Sequence, residues 1–392
     1  MKKILPVSKS TIMPVESTND TILAENYLKQ TDQYVTDAFN SLNDTTFTTL
    51  AAQRLINIDK NRYADILPYD HTRVTIKSDY FYDPDSNRYV NGEPNQLIQK
   101  HESTEQIWST CWPKIAERDR TNYTLLCHIK GDLEYPSDIS IFPVHQSSIR
   151  ESDYINANHI MVERTAYCIA AQGPKTNTIN DFWTMAWQHG TRCIAMVTNL
   201  SENNREKCAA YAPGLDPDCH KSTINYGDIS VTLRSVKIKN QTIHRTYNIA
   251  FKSQSRLIDH YQFVGWGDHQ APQSISDYSD FINTLNNSRQ ADGSDIIHCS
   301  AGVGRTGTVI TTLLYLDTYK SQAPSRTVPE PSMPNALMLQ PNTVTKLVAT
   351  INSLRQSRRY LVQSLAQFKF LYQFITQHRL STQALTNKKT SQ

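Results

Sequence analysis

No stretch of this 392-residue chain approaches the roughly 20 consecutive apolar residues that a membrane-spanning helix needs. The opening Met1-Lys2-Lys3-Ile4-Leu5-Pro6-Val7 is basic but has no apolar core behind it, which excludes a secretory signal of the usual kind. Signals for specialised export need not take that form. A strong charge of either sign is also missing. Lysine and arginine number 40 against 37 acidic residues, a formal balance of +3, too small to argue for nucleic acid or an anionic membrane as partner. No basic run exceeds pairs such as Lys388-Lys389, so there is no polybasic address. No two cysteines stand in C-x-x-C spacing, and the seven, at 111, 127, 168, 193, 208, 219 and 299, are odd in number and scattered. That argues against a disulfide framework and for reduced thiols in a cytoplasmic setting. Cys208, Cys219 and His220 fit no zinc spacing, and neither a metal nor another cofactor is expected. There is no internal repeat.

What is present alternates between helical and strand patterns. The first 20 or so residues are polar and read as a loose leader. Leu23, Leu28, Val35, Phe39, Leu42 and Leu50 space as helices between Thr21 and Leu55. Tyr63 to Asp70 reads as a loop, because Pro68 biases Leu67 away from helix. Asp83-Pro84-Asp85-Ser86-Asn87 and Asn91-Gly92 suggest a hairpin. Strands are predicted over 154–160, 166–171, 193–197 and, by alternation, through 227–264. Helices are predicted over 181–187, 276–286, 308–319 and 343–378. Five prolines between 321 and 341 mark a loop. Strands mixed with helices, without a clean βαβ series, give an α/β (α+β) fold class.

The chemistry concentrates in one run, His298-Cys299-Ser300-Ala301-Gly302-Val303-Gly304-Arg305-Thr306-Gly307. It follows a short apolar strand, Asp295-Ile296-Ile297-His298, and precedes a helical pattern from Thr308. Three of the chain's 12 glycines, 302, 304 and 307, fall here. They permit a tight loop with its N–H groups turned inward at a helix N-terminus, a nest suited to a dianionic phosphate and to a cysteine reacting as thiolate. Arg305 can donate two parallel hydrogen bonds to phosphoryl oxygens. A nucleotide-binding loop would want a Gly-Lys-Ser/Thr end, which is absent. The bare dinucleotide pattern of Gly302, Gly304 and Gly307 leaves Cys299 and Arg305 unexplained.

These residues resemble the signature loop of the cysteine-based protein tyrosine phosphatases. Further matches follow in family order. Lys60-Asn61-Arg62-Tyr63-Ala64-Asp65-Ile66 resembles the phosphotyrosine-recognition loop. Asp153 to Asn158 and Ile169-Ala170-Ala171-Gln172-Gly173-Pro174 resemble core motifs, and Glu202 with Lys207-Cys208 the bracing loop. His260 to Phe263 leading into Trp266-Gly267-Asp268-His269 resembles the acid loop, and Val362-Gln363 to Phe368 the glutamine loop. The resemblance implies a single phosphatase domain over about 25–378, with a central, highly twisted mixed sheet flanked by helices. Residues 1–24 and 379–392 are a polar leader and tail, and 78–150 and 321–341 are insertions.

It also implies roles. Cys299 attacks phosphorus, and the backbone of Ser300, Ala301, Gly302, Val303 and Gly304 with Arg305 holds the phosphoryl oxygens. Asp268 is acid and then base, Thr306 supports the sulfur, and Gln363 places the water with Gln367 assisting. Tyr63 stacks on the substrate ring and Asp65 holds the substrate backbone. Glu202 braces Arg305, Lys207 approaches Asp268, and His298 supports the loop. The expected partners are phosphotyrosine proteins. The family's acid loop reads Trp-Pro-Asp, whereas here Gly267 replaces proline. That keeps a phosphotyrosine-binding pseudophosphatase as one alternative. A phosphoinositide phosphatase is the other, although Ser300, Ala301 and Val303 supply no lysine inside the loop. Abundant Asn, Gln and Thr and the insertions suit a microbial protein, an exported effector included.

Overall fold

The computed structural model describes residues 18–44, 46–76, 81–83, 88–90, 152–267, 270–289, 294–321 and 341–390. In chain order the elements begin with α1 (Thr18–Asn40), α2 (Leu50–Gln53), α3 (Leu55–Ile58), β1 (Arg73–Thr75), β2 (Phe81–Asp83) and β3 (Arg88–Val90). β4 (Tyr154–Val162), β5 (Thr165–Ala171), α4 (Ile179–Gln188), β6 (Cys193–Met196), β7 (Ser201–Glu202), β8 (Arg205–Glu206) and β9 (Thr223–Tyr226) follow. The chain continues with β10 (Ile229–Lys239), β11 (Thr242–Phe251), β12 (Gln254–Phe263), α5 (Ile275–Ser288), β13 (Ile296–His298), α6 (Gly304–Ser321), α7 (Pro341–Arg355) and α8 (Leu365–Thr390).

Nine strands form one mixed sheet in the order β1-β4-β5-β13-β6-β12-β11-β10-β9. Its centre is parallel, with β5, β13, β6 and β12 side by side, and its flanks are antiparallel. Central strands buried on both faces carry apolar side chains on both. Cys168, Ala170, Cys193, Ala195 and Ile297 therefore join a core with α5 to α8. The alternate residues Ile169, Ala171, Ile194, Met196 and Ile296 join a second core with α4. The two-residue period of the strand sends neighbours to opposite faces.

β1 enters beside β4, and the Ile76 N–H donates to the Asp153 carbonyl at 2.9 Å. The expected hairpin is present as the antiparallel pair β2–β3; its turn, 84–87, lies outside the described residues, as do 91–151 and 322–340. Among the described residues no helix is long and apolar enough to cross a membrane.

Several boundaries differ from expectation. Helix α1 starts at Thr18, inside the stretch read as leader, and α8 runs to Thr390, through the stretch read as tail. Leu50, assigned to an apolar face, is 66% exposed, because it only opens the one-turn helix α2. The helical patterns expected over 343–378 are two helices, separated by 356–364, where Tyr360 and Val362 take positive φ.

Candidate active site

Parallel strands present their carboxyl ends at one edge of a sheet, and the loops that leave them meet there. The loop after β13 is the run from Cys299. His298 pairs with Ala171 on one side and Met196 on the other, so the loops after β5, β6 and β12 surround it. Helix α6 begins at Gly304, four residues earlier than expected, so Gly304 to Gly307 form its first turn.

Cys299 is 4% exposed, and the Gly302 N–H donates to its sulfur at 3.3 Å. Gly302 has φ +73°, and an added Cβ would lie 2.2 Å from the Ala171 carbonyl oxygen. Both facts require glycine. Gly307 lets a distant segment approach: its Cβ would lie 2.4 Å from the Val362 nitrogen. Arg305, 2% exposed, meets Glu202 in a two-pronged ion pair at 2.7 and 2.8 Å and donates to the Trp266 carbonyl at 3.2 Å. Such a fork fixes the guanidinium plane. Glu202 is itself held by the Thr198 hydroxyl and the Asn199 N–H, both at 3.2 Å.

Tyr63 reaches the loop from the other side. The Ser300 hydroxyl donates to the Lys207 carbonyl at 2.8 Å, which leaves Tyr63 as donor in its 2.9 Å contact with Ser300. The segment carrying Tyr63 is anchored by Arg62, which donates to the Pro174 and Gly173 carbonyls and pairs with Glu206. Gln172 completes the anchor by accepting from the Arg62 N–H at 2.9 Å and donating to the Lys60 carbonyl at 2.7 Å. Lys207 is buried. Asp65 is exposed and, with Gln363, lines a cavity of about 390 Å³ shared with Phe39, Leu42, Arg355 and Tyr360. Oε1 of Gln367 accepts from the N–H groups of Gln363 and Ser364, so this side chain caps α8 as well as facing Gly304. The Thr306 hydroxyl is buried with no hydrogen-bond partner among the described residues. Asp268 lies outside the described residues.

His298 closes the site from beneath. Its Nδ1 lies 3.2 Å from the Cys299 carbonyl oxygen and its Nε2 lies 2.8 Å from the Tyr211 hydroxyl, which is also 2.7 Å from Nε2 of His260. A carbonyl only accepts, so Nδ1 carries the proton. Tyr211 therefore donates to His298 and accepts from His260. Burial pulls His298 down to about 4 and His260 well below the ordinary imidazole range. Both rings are neutral at pH 7, as this chain of bonds requires.

Sequence reasoning missed Arg358. It sits on the 356–364 segment, 1% exposed, and donates to the carbonyls of Gly302 at 2.9 Å and Ala301 at 3.0 Å. It also reaches the side-chain oxygens of Asn158 and Asn156, each at 2.7 Å. One signal was available: two asparagines at alternate positions of an apolar strand. They need buried partners, although nothing local names Arg358 as that partner. Among the described residues no group of three or more His, Cys, Asp or Glu side chains is placed to hold a metal.

The protein-tyrosine phosphatase family model matches residues 57–130 and 135–377. Tyrosine-protein phosphatase 69D of Drosophila melanogaster is 34% identical over 236 residues, 58% of this chain and 14% of its own length. Human receptor-type tyrosine-protein phosphatase alpha is 28% identical over 339 residues, 84% of this chain and 30% of its own length. The chain thus spans less than a third of either relative. The catalytic domain of human protein tyrosine phosphatase non-receptor type 18 superposes with a TM-score of 0.57 at 23% identity, covering 92% of this chain and 98% of that one. That likeness speaks to the fold.

Proposed function

Because the chain belongs to the protein-tyrosine phosphatase family, we propose that it hydrolyses phosphotyrosine on proteins through a phosphocysteine at Cys299. The observation that carries this reading is Arg305, locked by Glu202 beside a glycine-dependent loop with Cys299 at its base. In the proposed reaction the Cys299 sulfur attacks phosphorus and the bond from phosphorus to the tyrosyl oxygen breaks. Asp268 donates its proton to that oxygen. Loop N–H groups and Arg305 hold the oxygens through the transition state. A water placed by Gln363, with Gln367 fixing the Gln363 backbone, then attacks phosphorus and returns a proton to Asp268. The sulfur leaves, and the unpartnered Thr306 hydroxyl is available to donate to it. Tyr63 sets pocket depth, and Asp65 takes a backbone N–H of the substrate chain.

The test is a substrate panel of phosphotyrosine, phosphoserine and phosphoinositide. Turnover confined to the phosphotyrosine peptide is expected. Turnover of the lipid alone would favour a phosphoinositide phosphatase, and binding without turnover of any substrate would favour a pseudophosphatase.

Gly267 bears on rate. Its φ is not left-handed, and an added Cβ would meet only the movable end of Gln270, at 3.0 Å. A side chain there needs only Gln270 to shift, and proline would narrow the open ensemble by about 0.4–1 kcal/mol. Gly267→Pro should raise kcat by about two- to fivefold, the same energy expressed as a rate. A flat or lower kcat in stopped-flow assays would count against this account of the glycine.

A further inference from the structure

The loop's inward N–H groups need something to aim them, and the structure offers one group on their outer side. We infer that Arg358 is a positioning residue for the oxyanion, orienting and polarising two peptide groups of the loop. The inference rests on the reading of that loop as the phosphate site.

In a trans peptide the C=O and N–H point in opposite directions. The Ala301 carbonyl accepts from Arg358 at 3.0 Å, and the N–H of the same peptide, on Gly302, points the other way, onto the Cys299 sulfur at 3.3 Å. The Gly302 carbonyl accepts from Arg358 at 2.9 Å, so the Val303 N–H is turned to the inner side by the same geometry. One guanidinium thus sets two consecutive donors. A cation on the carbonyl end of a peptide also draws electron density from its N–H, which strengthens that donor.

Two further observations bear on the charge of Arg358, which shares with the buried Arg245 a set of neutral partners. Arg305, Arg62 and Arg355 each meet a carboxylate, from Glu202, Glu206 and Asp44. The four oxygens that Arg358 meets are neutral, and among the described residues no carboxylate pairs with it. A buried unpaired cation is unfavourable unless an anion compensates it; the Cys299 sulfur favours the charged guanidinium, and the oxyanion the loop is shaped to take would add to it. Burial pulls its guanidinium down to about 10, an effect partly offset by Tyr154 and Cys299, so it stays charged at pH 7. Its orientation is also over-determined. Asn156 donates to the Asn61 side chain and the Ile66 carbonyl, and Asn158 to the Tyr69 carbonyl and Thr72 hydroxyl. Both amides must therefore turn their oxygens to Arg358.

The test titrates tungstate, an oxyanion probe, by calorimetry into the Cys299→Ser protein, at low and high salt. Arg358→Gln in that background should weaken tungstate about tenfold, the scale of one charge-assisted hydrogen bond, and Arg358→Lys should recover part of the loss. Because the charge is buried, the loss should persist at high salt. Should Arg358→Gln not fold, Asn158→Asp answers the question by giving the guanidinium a carboxylate; tungstate affinity should again fall several-fold. Unchanged affinity in any folded member of the set overturns the inference. So does an equal loss in Ile249→Ala, a core change remote from the loop. Absence of tungstate binding by the Cys299→Ser parent would overturn the phosphate-site reading itself.

Discussion

Replacing Cys299 with serine should abolish phosphotyrosine hydrolysis while leaving phosphopeptide binding intact. The expected fall in kcat/KM is on the order of 10⁴-fold or more, as when an essential nucleophile is lost. The reason lies in what surrounds the sulfur. A serine hydroxyl attacks well only with a base beside it. His298, adjacent in sequence, is committed to the Cys299 carbonyl and Tyr211. The bond received at the sulfur comes from the Gly302 N–H, a donor that favours an anion and cannot remove a proton. Neither group can serve a serine hydroxyl as its base. In the proposed mechanism binding depends on the N–H groups and Arg305, which the change leaves in place. Steady-state kinetics with fluorescence-anisotropy binding check both halves. Residual turnover within tenfold of wild type would sink the phosphocysteine mechanism.

Gly302→Ala should be nearly as severe, for a purely steric reason. The left-handed φ of +73° penalises any L side chain by about 1–2 kcal/mol. More serious is the 2.2 Å approach of an added Cβ to the Ala171 carbonyl oxygen, which is backbone in a paired strand and cannot step aside. The loop must shift, and a displacement of about 1 Å in a positioned site lowers rate by roughly 10²-fold. Gly190→Ala is the matched control. Its φ is +69° and nothing lies within 4 Å of the added Cβ. It should lower the melting temperature modestly and leave kcat/KM alone. If Gly302→Ala behaved like Gly190→Ala, the contact with Ala171 would carry no functional weight.

How much of this was readable in advance depends on whether the cause is local. The strand over 154–162, the buried strand at 193–196 and the strand-loop-helix around Cys299 follow from periodicity and glycine placement, and they lie where expected. The break between α7 and α8 had no such signal, because no proline or glycine stands in 356–364. It is imposed from outside. Arg355 donates to the Leu361 and Val362 carbonyls, Arg358 is pulled beneath the loop, and Gly307 admits the Val362 backbone. The early start of α6 has the same origin. Glycines 304 and 307 are poor helix formers, yet both lie in the first turn of α6, packed close to Gln367 and to the Val362 backbone. Tyr63 and Gln363 were legible as residues of a resembling motif, whereas Arg358, which reaches the loop from over 50 positions away, was not.

The bond between Ile76 and Asp153 bears on how the chain tolerates length. The described chain leaves the sheet after Ile76 and rejoins it at Asp153, two residues in hydrogen-bond contact, so the ends of the intervening sequence are fixed. Closing a loop between such ends becomes less favourable only logarithmically, by about 0.6 kcal/mol for each doubling of its length. Loop closure by itself therefore makes the length of that sequence a weak term in the stability of the sheet that carries Cys299.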